Sequence, residues 1–190
     1  NFSLLAGIVF DSFAELGVTA GGGTMTAADL LRPGFIAGVG LEAAQPLLEE
    51  ISDMLGPISF FHNFIMIAVM MIAWVIIMVA FFVLAVQLFI TILEFKLTTL
   101  AGFVLVPFAL WNKTTFLAER VLGNVITSGI KLMVLAVIIG IGSTLFSSVT
   151  DAFRTGDDVT LAQVMGTVLA AIVFFWMGIF APGIASGLIT

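Results

Sequence analysis

The feature that most constrains this chain is a long run without charge. From Asn63 to Leu93 there is no Asp, Glu, Lys or Arg. As an α-helix the run reaches about 46 Å, against about 30 Å for the hydrocarbon core of a bilayer. It is long enough to cross with tilt and to extend past one face. The run predicts a transmembrane helix. Composition agrees: 61 % of the 190 residues are hydrophobic and 9 % are charged, where a soluble domain carries about a quarter. So few charges cannot cover a folded surface in water, and lipid is the natural partner. The chain has no cysteine, which excludes disulfides and thiolate metal sites and leaves the redox compartment unread.

Two further spans follow the same logic. Thr115, with Glu119 four residues on, opens a helix at about 116–149, in which Lys131 is the only charge beyond the first turn or so. Residues 159–181 make a third span, opened by Asp157, Asp158 and Thr160 as capping residues and closed by Pro182-Gly183. Between the first two, residues 97–112 are uncharged but interrupted by Pro107, and would reach only about 24 Å if helical. They read as a short re-entrant or interfacial element, with Trp111 as an interface anchor. The expected fold is an all-α integral membrane protein with three transmembrane helices, this short element and amphipathic N-terminal helices.

The N-terminal region 1–62 is different in charge. It holds Asp11, Glu15, Asp29, Glu42, Glu49, Glu50 and Asp53 against Arg32 alone, which accounts for the whole net charge of -6. Phe2, Leu5, Val9, Phe13 and Leu16 recur at helical spacing, as expected of an interfacial helix or the tail of an upstream span. Gly21-Gly22-Gly23 breaks it, Arg32-Pro33-Gly34 marks a second turn, and Pro46 should kink or split a helix over 35–55. The chain opens at Asn1 with neither Met nor a basic leader, and reads as a part or processed form of a longer protein. Lys96, Lys113 and Arg120 cluster in 94–120, whereas the turn 149–160 has only Arg154. The positive-inside rule then makes 94–120 cytoplasmic and the acidic region 1–62 periplasmic, apart from a transmembrane domain over 63–190.

Few side chains carry recognisable chemistry. Lys131 stands about 16 Å along its helix from Arg120, so it must snorkel, pair with Glu94 or Glu119, or face water. Gln87, Thr91, Glu94 and Thr98 form a polar stripe, read as conduit lining or as hydrogen-bonding glue between helices. Ala136, Gly140, Thr144 and Ser148 form one row of small residues, and Ala162, Gly166 and Ala170 another. Such rows let helices approach closely, within one chain or between copies. Pro107, Pro182 and Gly183 are candidate breaks or hinges. His62 is the single histidine and has no carboxylate cluster around it in sequence, and no catalytic or nucleotide-binding motif occurs. No enzyme activity, cofactor or metal is expected, and an acidic chain of this kind binds nucleic acid poorly on its own.

The stretches Thr91-Ile-Leu-Glu-Phe-Lys96, Leu105-Val-Pro-Phe-Ala-Leu-Trp111, Thr115-Phe-Leu-Ala-Glu-Arg120 and Gly129-Ile-Lys-Leu-Met-Val-Leu135 occur in that order. With Leu31-Arg-Pro-Gly-Phe-Ile-Ala-Gly-Val-Gly40 and Ala181-Pro-Gly-Ile-Ala-Ser-Gly187, they make residues 30–187 resemble the TrbL family. These are polytopic inner-membrane proteins of conjugative type IV secretion systems of the VirB type. Members usually carry further N-terminal spans and a polar C-terminal tail, which this sequence lacks. The resemblance implies a bacterial inner-membrane subunit, structural or conduit-forming, that supports pilus or stalk assembly and translocation. It also implies a homo-oligomer, expected to be a pentamer, in contact with membrane lipid, a transfer ATPase, the periplasmic core and a minor pilin. Transient cargo would be single-stranded DNA with its relaxase, or effector proteins. Under that reading Lys96, Lys113, Arg120 and Lys131 meet lipid or DNA phosphate at the cytoplasmic mouth. The competing expectation is an autonomous channel or secondary transporter, suggested by the broken element at Pro107.

Overall fold

The computed structural model describes residues 2–22, 24–111, 114–154 and 159–187, omitting the side chains of Val106, Ala109, Thr150 and Arg154. Among the described residues every regular element is helical: α1 (Phe2–Gly21), α2 (Ala27–Leu30), α3 (Pro33–Met54), α4 (Ser59–Leu105), a 3-10 turn (Val106–Leu110), α5 (Thr115–Arg154) and α6 (Leu161–Gly187).

The uncharged run lies inside α4, which continues without interruption to Leu105 and so reaches about 70 Å. Residues 97–105 are therefore its extension and not a separate re-entrant or interfacial element. Helical hydrogen bonding carries on past Lys96 because nothing in Leu97–Leu105 breaks it. Pro107 then ends it, since proline lacks the N–H that would bond Phe103 and disfavours helix at the residue before it. The reversal into α5 is tied locally. The Thr114 hydroxyl donates to the Phe108 carbonyl at 2.7 Å and the Thr115 hydroxyl to that of Trp111 at 3.1 Å.

Two other prolines do not split their helices as expected. Pro46 lies within a continuous α3, and Pro182 within a continuous α6 that runs on through Gly183 to Gly187. Each removes one backbone hydrogen bond, but both prolines are buried against neighbouring helices, which hold the segment helical. The predicted glycine break after α1 is present: Gly22 adopts φ +67, a conformation that glycine accepts without steric cost. Asp157 and Asp158 lie outside the described residues. At the start of α6, Thr160 and Gln163 make a capping box: the Gln163 side chain accepts from the Thr160 amide at 2.8 Å, and its own amide donates to the Thr160 hydroxyl at 3.4 Å.

The count of three spans also changes. Among the described residues four helices are long and apolar enough to cross a membrane: Phe2–Gly21, Ser59–Leu105, Thr115–Phe153 and Leu161–Gly187. The helix over 2–21, expected as an interfacial helix or the tail of an upstream span, is apolar enough to sit in lipid. It packs lengthwise on α5 and more lightly on α4, burying Ala6, Phe10, Ala14, Gly17 and Gly21.

α4 and α5 form an antiparallel pair with two grooves. α6 fills one, touching both helices, and Phe81, Phe146 and Phe174 meet there with ring centroids 5.0 to 6.1 Å apart. α1 and α3 share the other groove. α1 runs beside the hairpin end, with Phe2 against Gly102 and Phe10 stacked on Phe95 at 3.9 Å. α3 takes over further along, setting Gly40 on Phe81. The core is thus continuous along the bundle, from Phe95 through Leu88, Leu84 and Ile77 to Met70 on α4.

Candidate functional site

Glu94 and Lys131 are far apart in sequence, but the antiparallel pairing of α4 with α5 brings them to one level. The Lys131 ammonium donates to both Glu94 oxygens, at 3.2 and 3.1 Å. The lysine side chain is 23 % exposed and the glutamate 39 %, so the pair sits at the edge of the core, not deep inside it. A charged hydrogen bond there satisfies both ions where neither is fully open to solvent. Lys131 is thereby committed to Glu94. Arg120 and Glu119 are exposed on the first turns of α5, Lys96 is exposed on α4, and Lys113 lies outside the described residues.

The rest of the polar stripe behaves differently. Thr91, almost fully buried, donates to the Gln87 carbonyl of its own helix at 2.9 Å, and Thr98 to that of Glu94 at 2.7 Å. Back-bonding of this kind satisfies a hydroxyl without linking two helices. Glu94 is the one stripe residue for which a hydrogen bond to another helix is seen.

The small-residue rows divide as well. Ala136 and Gly140 are buried under α1, whereas Thr144 and Ser148 are exposed and bond back to the carbonyls of Gly140 and Thr144. The partners of Ala136 and Gly140 are Gly17 and Gly21. A Cβ on Gly140 would lie 2.7 Å from the Gly21 carbonyl oxygen, and one on Gly17 would lie 2.6 Å from the Ala136 Cβ. Two small-xxx-small faces, Gly17/Gly21 and Ala136/Gly140, let the backbones of α1 and α5 touch. The Gly17-to-Gly21 spacing was legible in the sequence as a GxxxG face, but the acidic character of residues 1–62 hid it. On α6, Ala162 and Gly166 are exposed and Ala170 is half-buried, with open space around a Gly166 Cβ. The face α6 turns inward instead carries Val164, Thr167, Ala171, Phe174, Gly178, Pro182 and Ala185.

One cleft opens beside the α1–α3 break. It measures about 360 Å³ and is lined by Thr24, Asp29, Glu42, Ser143, Ser147 and Asp151 among others. Asp29 closes a capping box at the start of α2, accepting from the Thr26 hydroxyl at 2.6 Å and the Thr26 amide at 3.1 Å. These two bonds hold its carboxyl below the ordinary carboxylate value. Among the described residues no group of three or more His, Cys, Asp or Glu is arranged to hold a metal ion.

The match to known families covers this whole arrangement. The model of the TrbL/VirB6 plasmid conjugal transfer protein family matches residues 1–181, from the start of α1 to within the last turns of α6. The chain belongs to the TrbL/VirB6 family. It is a multi-pass inner-membrane protein and a component of a conjugation, or type IV secretion, system. The TrbL/VirB6 match begins ahead of residue 30, so α1 and its glycine seam are part of the family unit. No individual curated protein and no solved structure matches the chain.

Proposed function

We propose that this chain is a scaffold and conduit subunit of the inner-membrane complex, supporting pilus or stalk assembly and the translocation of DNA or protein, without an enzymatic step of its own. The observation that carries this reading is that the family match runs from α1 into α6, while among the described residues those helices supply packing faces and one ion pair. Copies of the chain form a homo-oligomer, with a pentamer as the working count. Its neighbours are the transfer ATPase, the periplasmic core and a minor pilin or stalk subunit, and single-stranded DNA with its relaxase, or effector proteins, pass as cargo. The hairpin end of α4 and α5 faces the cytoplasm, because the sequence between 94 and 120 holds Lys96, Lys113 and Arg120. These three cations meet anionic headgroups or nucleic-acid phosphate, each worth about 1 kcal/mol near such a surface. Lys131 is left out of that set because Glu94 engages it. Pro107, which motivated the transporter alternative, lies in the turn at the hairpin tip and interrupts neither α4 nor α5.

Donor cells lacking the gene and complemented with variants test this. Complementation with the Lys96→Gln, Lys113→Gln, Arg120→Gln triple variant should lower transfer frequency at least tenfold while the purified complex keeps its composition. Unchanged transfer removes the cationic contact. Wild-type transfer and piliation in cells lacking the chain altogether would remove the conduit reading.

A further inference from the structure

The depth of each element can be read from α6. From Leu161 to Gly187 it carries no charge and reaches about 40 Å, so its middle, near Phe174, lies close to the bilayer mid-plane. Phe174 packs on Phe81 of α4, on Phe146 and against Gly142 of α5. In the opposite groove, Gly40 of α3 rests on that same Phe81, and Gly21, the last residue of α1, rests on Gly140. The break between α1 and α3 and the central turns of α3 therefore stand at mid-membrane depth.

The two sides of the molecule differ sharply at that depth. The exposed residues of α4 and α6 include Val75, Val79, Phe82, Leu169, Val173 and Trp176, all apolar. The exposed face of α3 instead carries Glu42 and Gln45 within two turns of Gly40, and Glu49 a further turn along, while the adjoining cleft presents Thr24 and Asp29. Carboxylates at this depth are tolerated only beside water or a partner charge, and backbone outside a helix only against protein or a watery cavity. Hydrocarbon satisfies neither condition.

We propose that the α1–α3 layer is the aqueous wall of the protein inside the membrane: lipid contacts α4 and α6, while water contacts the acidic face of α3 and the cleft at the break. This deepens the conduit reading and rests on it, since the water must belong to a passage that the assembled subunits enclose. It replaces a wholly periplasmic N-terminal region with a broken helix that lines the passage. Its acidic surface repels a polyanion, so a DNA strand would slide past without adhering.

The chain has no cysteine, so single reporters can be placed directly. Glu42→Cys, with Gln45→Cys as a second reporter, marks the proposed wet face; Phe82→Cys and Leu169→Cys mark the lipid face at similar depth. Each is spin-labelled in the full-length protein within the assembled membrane complex, and collision with a water-soluble nickel chelate is compared with collision with oxygen. Nickel access several-fold higher at positions 42 and 45 than at 82 and 169, with oxygen dominant at the latter pair, is the expected result. Equal nickel access on both faces would place this level outside the bilayer. Oxygen-dominated or fully shielded labels at both 42 and 45 would place α3 against lipid or a partner. Any of these overturns the proposal. Transfer measured in the same strains keeps the two readings apart: a dry α3 in a transfer-competent complex sinks the aqueous wall and leaves the conduit standing.

Discussion

At the scale of single residues, what matters is whether a side chain's partner is in its own helix or in the next. Lys131 and Glu94 belong to the second kind. Replacing Lys131 by Met leaves a half-buried carboxylate without its cation, which should destabilise the protein by about 1–3 kcal/mol. The check is the thermal stability of the detergent-solubilised complex, where the reciprocal swap Glu94→Lys with Lys131→Glu should recover most of the loss. If the single variant is as stable as wild type, the pair contributes nothing to the hairpin. Glycine gives a parallel contrast. Gly140→Leu would push into the Gly21 backbone and should cost about 1–3 kcal/mol or part α1 from α5, whereas Gly166→Leu meets open space and should stay within about 0.5 kcal/mol. Equal stability of the two variants by thermal melting would remove the α1–α5 seam. Both glycines stand in small-residue rows that look alike in the sequence. Only the fold separates the one facing a backbone from the one facing outward.

At the scale of elements, helix ends were the least legible part of the chain. Proline stops α4, where it coincides with a turn that Thr114 and Thr115 can tie, yet it leaves α3 and α6 helical, where neighbours hold the segment. The residue type is the same; the packing decides. The cap of α6 is Thr160 with Gln163, a pairing overlooked beside the conspicuous Asp157 and Asp158. Thr160→Ala should fray the first turn of α6 at a cost of about 1 kcal/mol, visible as faster amide exchange near Gln163 and unchanged exchange near Phe174. α2 carries a pH signature. Hydrogen bonds from Thr26 lower the folded-state value of Asp29, so its contribution is present above the ordinary carboxylate value and is lost as pH falls through the lower folded one. Exchange protection around Ala27–Leu30 should therefore fall on acidification, and Asp29→Asn should flatten that dependence.

For the molecule as a whole, the lengths do not match one another. α4 reaches about 70 Å and α5 about 60 Å, roughly twice a hydrocarbon core, while α6 reaches about 40 Å. The hairpin end must then project beyond the bilayer, with α1 lying alongside it. Excising α1 would uncover Gly129, Ala136 and Gly140, so such a variant should accumulate poorly and be degraded, as judged by its steady-state level in membranes. Normal accumulation would show that α1 is an accessory to the bundle and not part of its core. Unlike the local effects above, this one spreads along the whole of α5.

The sequence by itself determined the solvent. An uncharged run longer than a bilayer, and too few charges to cover a surface in water, leave helices in lipid as the stable outcome, because backbone polar groups must be satisfied within the segment. It also carried enough ordered motifs to reach the family. Tertiary structure decided which residues meet. That Lys131 finds Glu94, that Gly21 touches Gly140, and that an acidic helix stands beside the most apolar one all follow from the depth at which α4, α5 and α6 are stacked. No local period encodes that depth, since it is set by contacts between segments far apart in the chain.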